Sequence, residues 1–195
     1  MGNRLSKIVT RTGDQGQTGL ATGDRIAKTH PRVTAMGDID ELNCCLGLLL
    51  EATLPQAVRD HLAPCQHELF NLGGELSMPP AALITEAHVL RLDQALADLN
   101  ATLPPLKEFV LPGGGEAGAR AHLARSVARR AERAMWALHE MEGVNVHGLH
   151  YANRLSDLLF VASRVLAREA KGEVSWSREG VEKLPKAARK KAAPV

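Results

Sequence analysis

An apolar repeat between residues 58 and 76 constrains the fold of this chain more than any other feature. Its members are separated alternately by four and three residues, the spacing of one helix face in a left-handed bundle. They are Val58, Leu62, Cys65, Leu69, Leu72 and Leu76. Pro64 lies within the repeat, so either a kink or a restart of the helix is open at that position. Because such a helix must bury its apolar stripe, the repeat predicts packing against other helices.

Four further segments carry helical periodicity, and prolines and glycines separate them. Thr85 is a good N-cap, and Glu86 follows it in the first turn, where the helix dipole favours negative charge. Aromatic residues make up only 3% of the chain, which favours a core of aliphatic side chains between helices. We therefore predict an all-α protein, a five-helix antiparallel bundle. Besides the repeat, its helices are expected at about residues 33–51, 86–103, 118–142 and 149–170.

The two ends of the chain differ from its helical body. Residues 1–32 are polar and rich in glycine and threonine, so we predict an ordered loop with a short strand at Lys7–Arg11. After Glu182 the chain contains basic residues and no acid, although the formal net charge of the whole chain is only +2. We predict a single helical-bundle domain over residues 1–182 and a disordered basic tail over residues 183–195.

Composition argues against several classes of protein. The body, without its tail, is mildly acidic, which does not favour nucleic-acid binding. No apolar run is long enough to span a membrane, and the N-terminus lacks the apolar core of a secretion signal. Cys44, Cys45 and Cys65 fit neither a disulfide framework nor a zinc motif, so we expect small core residues in a reducing cytoplasm. The histidines lack metal-ligating spacing as well, and no protein-bound metal site is predicted.

Four arginines within nine residues mark the segment with the most distinctive chemistry. Arg125, Arg129 and Arg133 are four residues apart and share one helix face, with Glu132 beside them, while Arg130 follows Arg129 directly. Stacking like charges in this way costs roughly 0.2–0.5 kcal/mol per pair unless an anion neutralises them. Guanidinium groups bind phosphate oxygens two at a time, which favours a polyphosphate site. A solvated face, or one paired with acids of a neighbouring helix, is the alternative.

An apolar stripe runs along the same helix and defines the face that we expect to be buried. Its members are Leu123, Val127, Ala131, Ala134, Leu138 and Met141.

Three other segments carry polar groups suited to a nucleotide. Residues 10–18, with the sequence TRTGDQGQT, combine glycines and threonine hydroxyls with Arg11, and Lys28 follows nearby; this chemistry suits a phosphate cradle or an ordinary turn. Asn153 and Asp157 share a face of the last helix, where they either contact a ligand or neutralise an arginine. In the first helix, residues 40–43 read DELN, and a salt bridge from there to an arginine of another helix or subunit is expected.

Five motifs in this order resemble those of the ATP:cob(I)alamin adenosyltransferases of the propanediol-utilisation type. The motifs lie at residues 10–18, 40–43, 109–114, 125–133 and 153–157. The resemblance extends over about residues 7–170 and leaves out the basic tail. It implies a five-helix bundle that assembles as a homotrimer, with ATP bound between adjacent subunits.

The resemblance also implies which residues bind ATP. One group would wrap the triphosphate: Thr10, Arg11, Thr12, Gly13, Thr18, Gly19 and Lys28. A second group would contact ATP from the last two helices: Arg129, Arg130, Glu132, Arg133 and Asn153. Arg125, Asp40 and Asp157 would complete the catalytic site, with Asp40 bridging to Arg125 across the subunit interface. Phe109 would face the corrin, whereas the residue pattern by itself favours a loop anchor packed on the bundle.

The implied reaction transfers the 5′-deoxyadenosyl group of ATP to the cobalt of cob(I)alamin, releasing triphosphate and forming adenosylcobalamin. Mg²⁺ would accompany ATP, and a reductase and an adenosylcobalamin-dependent enzyme are the implied protein partners. Two alternatives keep the anion site but change the chemistry. One is a non-catalytic ATP-sensing bundle, and the other is a phosphotransferase with Asp157 as the base. The products distinguish them: triphosphate for adenosyl transfer, ADP for phosphoryl transfer, and neither for a sensor.

Overall fold

A computed structural model describes residues 9–178 and confirms the predicted all-α, five-helix bundle. A short hairpin precedes the helices, with strands β1 (Gln17–Gly19) and β2 (Arg25–Ala27). The helices are α1 (Pro31–Leu50), α2 (Gln56–Ser77), α3 (Glu86–Asn100), α4 (Glu116–Glu142) and α5 (Val146–Glu169). The predicted basic tail at residues 183–195 lies outside the described residues.

The heptad-like repeat forms the buried face of α2, as predicted. All six of its members are at most 1% exposed, and burying each aliphatic side chain contributes about 1.5–3 kcal/mol. Pro64 lies on the exposed side of α2, and the helix continues through it without a restart. In the rest of the bundle, α4 packs against both α1 and α5, and α3 packs mainly against α5. The core therefore holds α4 centrally, with one face left to solvent.

Two residues assigned to the apolar stripe of α4 are exposed. Leu123 is 50% exposed and Met141 is 61% exposed, whereas Val127, Ala131 and Leu138 are buried. At about 100° per residue, Leu123 and Met141 both lie roughly 80° from Ala131 around the helix axis. They sit on the rim of the buried face, beyond the reach of α1 and α5.

The expectation that all three cysteines are core residues is wrong for two of them. Cys65 is buried, but Cys44 is exposed and Cys45 is only partly buried. Cys44 is two residues from both Leu42 and Leu46, which are fully buried, and therefore lies about 200° away from each around α1.

The described part of the N-terminal segment forms no strand over residues 9–11, where the predicted strand at Lys7–Arg11 would end; Lys7 and Ile8 lie outside the described residues. Val9 and Thr10 belong to no strand, and Arg11 begins a turn with a φ of 60°, which a strand does not allow. The strands lie further along, where Thr18 pairs opposite Ile26. The backbone N–H of Ala21 donates to the carbonyl oxygen of Ser77 at 3.0 Å, which attaches the hairpin to the end of α2. None of the helices described is both long and apolar enough to span a membrane.

Candidate active site

The arginines of α4 fall into two groups with different surroundings. Within residues 9–178, Arg125, Arg129 and Arg133 form no ion pair, although α4 lies next to helices that carry acids. Arg130, in contrast, pairs with Asp38 at 3.1 Å and with Glu41, both of α1. The acid-paired alternative therefore holds for Arg130 alone, and the other three guanidinium groups are available to an anion.

Arg129 and Arg133 line a groove that we call the arginine groove. Its volume is about 410 Å³, and Glu132, Asn153 and Trp136 also line it, with Ala137 and Glu140. Asn153 of α5 donates its amide N–H to the carboxylate of Glu132 at 3.0 Å, which fixes both polar groups at the groove. Four of the five residues predicted to contact ATP from α4 and α5 thus lie together; the fifth, Arg130, is the one paired with α1.

Trp136 and Glu140 were not among the sequence-based candidates, although they line the same groove. Trp136 lies three residues after Arg133 and seven after Arg129, so helical periodicity places it on the same face as these arginines. Helical spacing in the sequence could therefore have identified Trp136 as a residue of this groove.

A second groove, which we call the Phe109 groove, lies further towards the N-terminus of α4. Its volume is about 470 Å³, and its walls are residues 106–110 together with His122, Arg125 and Phe160. Phe109 is 80% exposed, so it is not a loop anchor buried in the bundle. An exposed aromatic ring beside a cation suits a ligand with a large apolar face.

Arg125 is electrostatically unusual. Its Nε atom is buried without a hydrogen-bond partner in the described chain, and burial, followed by repulsion from Arg129, lowers the pKa of its guanidinium. Burial and the charge of Arg125 likewise lower the pKa of His122, so His122 is neutral at neutral pH. An unpartnered, desolvated guanidinium gains much from a bound acceptor. Arg125 lines the Phe109 groove and is one helical turn from Arg129, so it is the residue of that groove nearest along α4 to the arginine groove.

The loop that carries Phe109 is fixed closely against α5. At Gly114, where φ is +81°, an added Cβ would lie 2.2 Å from the Cβ of Ala167, so only glycine permits this approach. The glycine run after Phe109 therefore allows the loop to pack closely on α5. This packing holds the loop at the end of the bundle where Arg125 and His122 lie.

The N-terminal motif forms a compact, exposed turn. The hydroxyls of Thr10 and Thr12 are 2.9 Å apart, and Arg25 donates to the carbonyl oxygen of Thr12 at 2.6 Å. The Nζ of Lys28 lies over Gly13, 3.1 Å from the position that a Cβ would take. In the part of the chain described, none of the hydrogen bonds of residues 9–28 reaches α4. Within the described chain, this motif, which includes Thr18 and Gly19 of β1, therefore contributes no residue to the lining of the arginine groove.

Asp40 and Asp157 line neither of the two grooves. Asp157 pairs with Arg154 at 3.3 Å and does not neutralise an arginine of α4. Asp40 is exposed on α1 at an apolar groove between α1 and α2, which includes Phe70. The cross-helix salt bridge predicted for the first helix does form, but through Glu41 and its neighbour Asp38. Asp40 is left available to a residue of another chain.

The described residues show no protein-bound metal centre. From residue 9 to residue 178, no three side chains of histidine, cysteine, aspartate or glutamate are grouped closely enough to hold a metal ion.

Comparisons with known proteins agree on one family. A family model described as cobalamin adenosyltransferase matches residues 8–166. A cobalamin adenosyltransferase of Cupriavidus metallidurans is 55% identical over 181 residues, which cover 92% of this chain and 98% of the relative. A corrinoid adenosyltransferase of Mycobacterium tuberculosis is 43% identical, with 92% of this chain and 97% of the relative covered.

Solved structures give the same result. A phenylalanine-to-alanine variant of a PduO-type ATP:corrinoid adenosyltransferase from Lactobacillus reuteri, complexed with cobalamin and ATP, matches with a TM-score of 0.81 and 30% identity, covering 88% of this chain and 100% of that one. An arginine-to-lysine variant of the Lactobacillus reuteri enzyme, complexed with ATP, matches with a TM-score of 0.81 and 31% identity, over 87% and 100% of the two chains. With the matched family model and relatives covering most of its length, the chain belongs to the cobalamin adenosyltransferase family.

Proposed function

We propose that this protein transfers the 5′-deoxyadenosyl group of ATP to the cobalt of cob(I)alamin, releasing triphosphate and forming adenosylcobalamin. Membership of the family supports the reaction, and the relatives solved with ATP and cobalamin support both substrates. The observation that carries the placement of the site is the set of three arginines on one face of α4 that form no ion pair within residues 9–178; two of them line the arginine groove, and Arg125 lines the groove with the exposed Phe109.

The chemistry explains why cations are needed and a base is not. Cob(I)alamin uses a cobalt electron pair to form a bond to C5′ of ATP, and the bond from C5′ to oxygen breaks, with its electron pair leaving on the triphosphate. No proton is transferred, so the absence of an acid–base pair from the proposed residues is expected. The negative charge that develops on the leaving oxygen must be stabilised, and preorganised cations do this most effectively. The corrinoid supplies the chemical reactivity, and the protein binds and orients the substrates and provides the electrostatic environment.

Each residue of the arginine groove has a proposed part in this step. Arg129 and Arg133 bind the triphosphate oxygens, and the Glu132–Asn153 pair orients the rest of ATP. Arg125, in the Phe109 groove one helical turn from Arg129, binds near the point where the bond to oxygen breaks, and its Nε, which has no hydrogen-bond partner among the described residues, supports this role. Because Arg130 is held by two acids of α1, we propose that it supports α4 and does not bind ATP.

Mg²⁺ is proposed to bind with ATP. It prefers oxygen ligands and is usually held by one or two carboxylates together with substrate phosphates. The carboxylate of Glu132, which lines the arginine groove, fits that donor set and would hold the ion. Such an ion neutralises charge on the leaving triphosphate.

The remaining proposed ATP residues require a second copy of the chain. The N-terminal turn carries Thr10, Arg11, Thr12, Gly13 and Lys28 but shares no hydrogen bond with α4 in the described chain, and Asp40 lies on the surface of α1. We propose a homotrimer in which this turn and Asp40 of one subunit complete the arginine grooves of its neighbours, with Asp40 bridging to Arg125. Thr18 and Gly19 would accompany the turn.

Sedimentation gives a direct prediction for the assembly. The chain has a mass of 21.0 kDa, and equilibrium sedimentation is expected to show a species of three times that mass. A monomer at micromolar concentration would contradict the shared site.

The cellular setting follows from the proposed chemistry. Three free cysteines fit a reducing cytoplasm, where we place the protein. Cob(I)alamin must be generated by a reductase, and adenosylcobalamin must pass to an enzyme that uses it, so both classes of enzyme are proposed partners.

The test of the function is the identity of the product. The protein is incubated anaerobically with ATP, Mg²⁺ and chemically reduced cobalamin, and the spectrum of the cobalt–carbon product is followed together with the phosphate products. Adenosylcobalamin and triphosphate in equal amounts are expected. ADP would instead indicate a phosphotransferase, and ATP binding without turnover would indicate the non-catalytic sensor.

A further inference from the structure

The chain beyond α5 turns back and pairs with the loop that carries Phe109. The backbone N–H of Leu111 donates to the carbonyl oxygen of Val174 at 2.8 Å, and the N–H of Trp176 donates to the carbonyl oxygen of Phe109 at 2.7 Å. Val110 and Ser175 form the antiparallel bridge between these bonds. We call residues 173–176 the strap. Phe109 is therefore held through its own backbone, although its side chain is free.

One ion pair fixes the start of the strap. The Nε of Arg164 in α5 donates to the carboxylate of Glu173 at 2.6 Å, and both side chains are largely buried. Burial alone would raise the pKa of Glu173, but Arg164, and more weakly Arg168, lower it, so the carboxylate is ionised at neutral pH. Arg168 is half exposed and reaches the other oxygen at 3.3 Å, which makes it the minor partner.

Arg164 also holds the opposite end of the Phe109 loop. Its Nη2 donates to the carbonyl oxygen of Pro104 at 2.9 Å, where the loop begins. One buried guanidinium therefore joins the beginning of the loop, the strap and α5. Ionised groups form stronger hydrogen bonds than neutral ones, and leaving one buried charge without its partner is costly.

We propose that Glu173 is a positioning residue for the corrinoid site, because its ion pair with Arg164 locks the strap against the Phe109 loop and sets the place of the Phe109 ring. The proposal rests on the proposed function, which places the corrin at the Phe109 groove. Glu173 does not line that groove, so it acts through the loop and not by contact with the substrate.

If this ion pair positions the Phe109 loop, its loss should weaken corrinoid binding and leave ATP binding unaffected. In Glu173→Gln, which removes the charge and keeps the shape, the KM for the corrinoid is expected to rise about ten-fold, the size of one lost charge-assisted hydrogen bond. The KM for ATP is expected to stay unchanged, because the arginine groove does not include the loop. Trypsin is expected to cut faster after Lys107, an exposed loop residue, as followed by mass spectrometry of the peptides.

A matched control lies at another part of the bundle. Arg32 is buried, pairs with Glu142 and donates to the carbonyl oxygen of Leu76 at 2.7 Å, which repeats the arrangement of Arg164. Glu142→Gln therefore removes the carboxylate charge that pairs with this buried arginine, and with His30, without touching the Phe109 loop, and we expect it to leave both the corrinoid KM and cleavage after Lys107 unchanged. Equal effects in the two variants would show general loss of stability and overturn the proposal.

Two further outcomes are decisive. A corrinoid KM of the wild-type value in folded Glu173→Gln would overturn the proposed role of Glu173 in positioning the corrinoid site, whether or not cleavage after Lys107 changes. If that variant does not fold, Glu173→Asp, which keeps the charge but shortens the reach, is expected to show a smaller rise in corrinoid KM, and no rise would reject the proposal. A wild-type protein that forms no adenosylcobalamin would refute the proposed function, while faster cleavage after Lys107 in Glu173→Gln would still support the lock itself.

Discussion

Replacing Arg129 with alanine is expected to lower the rate of adenosyl transfer by roughly 30- to 1,000-fold, or 2–4 kcal/mol, the range for loss of one preorganised donor to a developing negative charge. Arg129 lines the arginine groove and forms no ion pair in the described chain. In its proposed role the guanidinium binds the leaving triphosphate, and this stabilisation would grow as the bond from C5′ breaks. The loss is expected in kcat, because the interaction strengthens in the transition state.

The bundle itself should tolerate this change. Arg129 is exposed, and its removal relieves repulsion from Arg125 and Arg133, worth a few tenths of a kcal/mol per pair. Thermal unfolding should accordingly occur at or slightly above the wild-type temperature. The kinetics should be measured with chemically reduced cobalamin, so that reduction of cobalt does not limit the rate.

Arg120 provides a control on the same helix. It pairs with Glu116 and donates to the carbonyl oxygen of Leu48, and it lines neither groove. Arg120→Ala removes the same kind of side chain from α4 and is expected to leave adenosyl transfer close to the wild-type rate. A wild-type rate in Arg129→Ala would reject its assigned role at the leaving group.

The fold could be predicted because its main determinants are local. The α2 repeat specifies one buried face by spacing alone, and all its members are buried. Helix boundaries were predicted to within a few residues where a cap or a proline marks them, as at Thr85 and Pro31. The rim residues Leu123 and Met141 were wrongly placed because the width of a buried face depends on neighbouring helices, which spacing within one helix does not reveal.

The candidate site was predictable only in part, for a related reason. Spacing placed Arg125, Arg129 and Arg133 on one face, and the same spacing could not show which arginine meets an acid of α1. That depends on how α4 is aligned against α1, where Asp38 and Glu41 lie opposite Arg130. The strap was missed altogether, because Glu173 joins α5 to the Phe109 loop through contacts that no local pattern in residues 173–176 signals.

Replacing Phe109 with alanine is expected to lower turnover from Co(II) with a reductase much more than transfer from chemically reduced Co(I). Cobalt in the +2 state resists reduction while an axial ligand donates to it, and an apolar side chain at the lower face of the corrin can displace that ligand and exclude water. We propose that Phe109, which is 80% exposed, has this role. Turnover from Co(II) with a reductase should fall roughly 10- to 150-fold, corresponding to about 1.5–3 kcal/mol for one buried phenylalanine side chain.

Transfer starting from chemically reduced Co(I) should fall much less, because cobalt in that state no longer depends on loss of its axial ligand. Leu106 provides the control, since it is an exposed apolar residue of the same groove. Leu106→Ala would remove apolar contact with the corrin and keep the Phe109 ring that is proposed to displace the axial ligand. It should therefore lower the rates in both assays by the same small factor. Equal losses in the two assays for Phe109→Ala would mean that its ring only binds the corrin, and the role in reduction would be wrong.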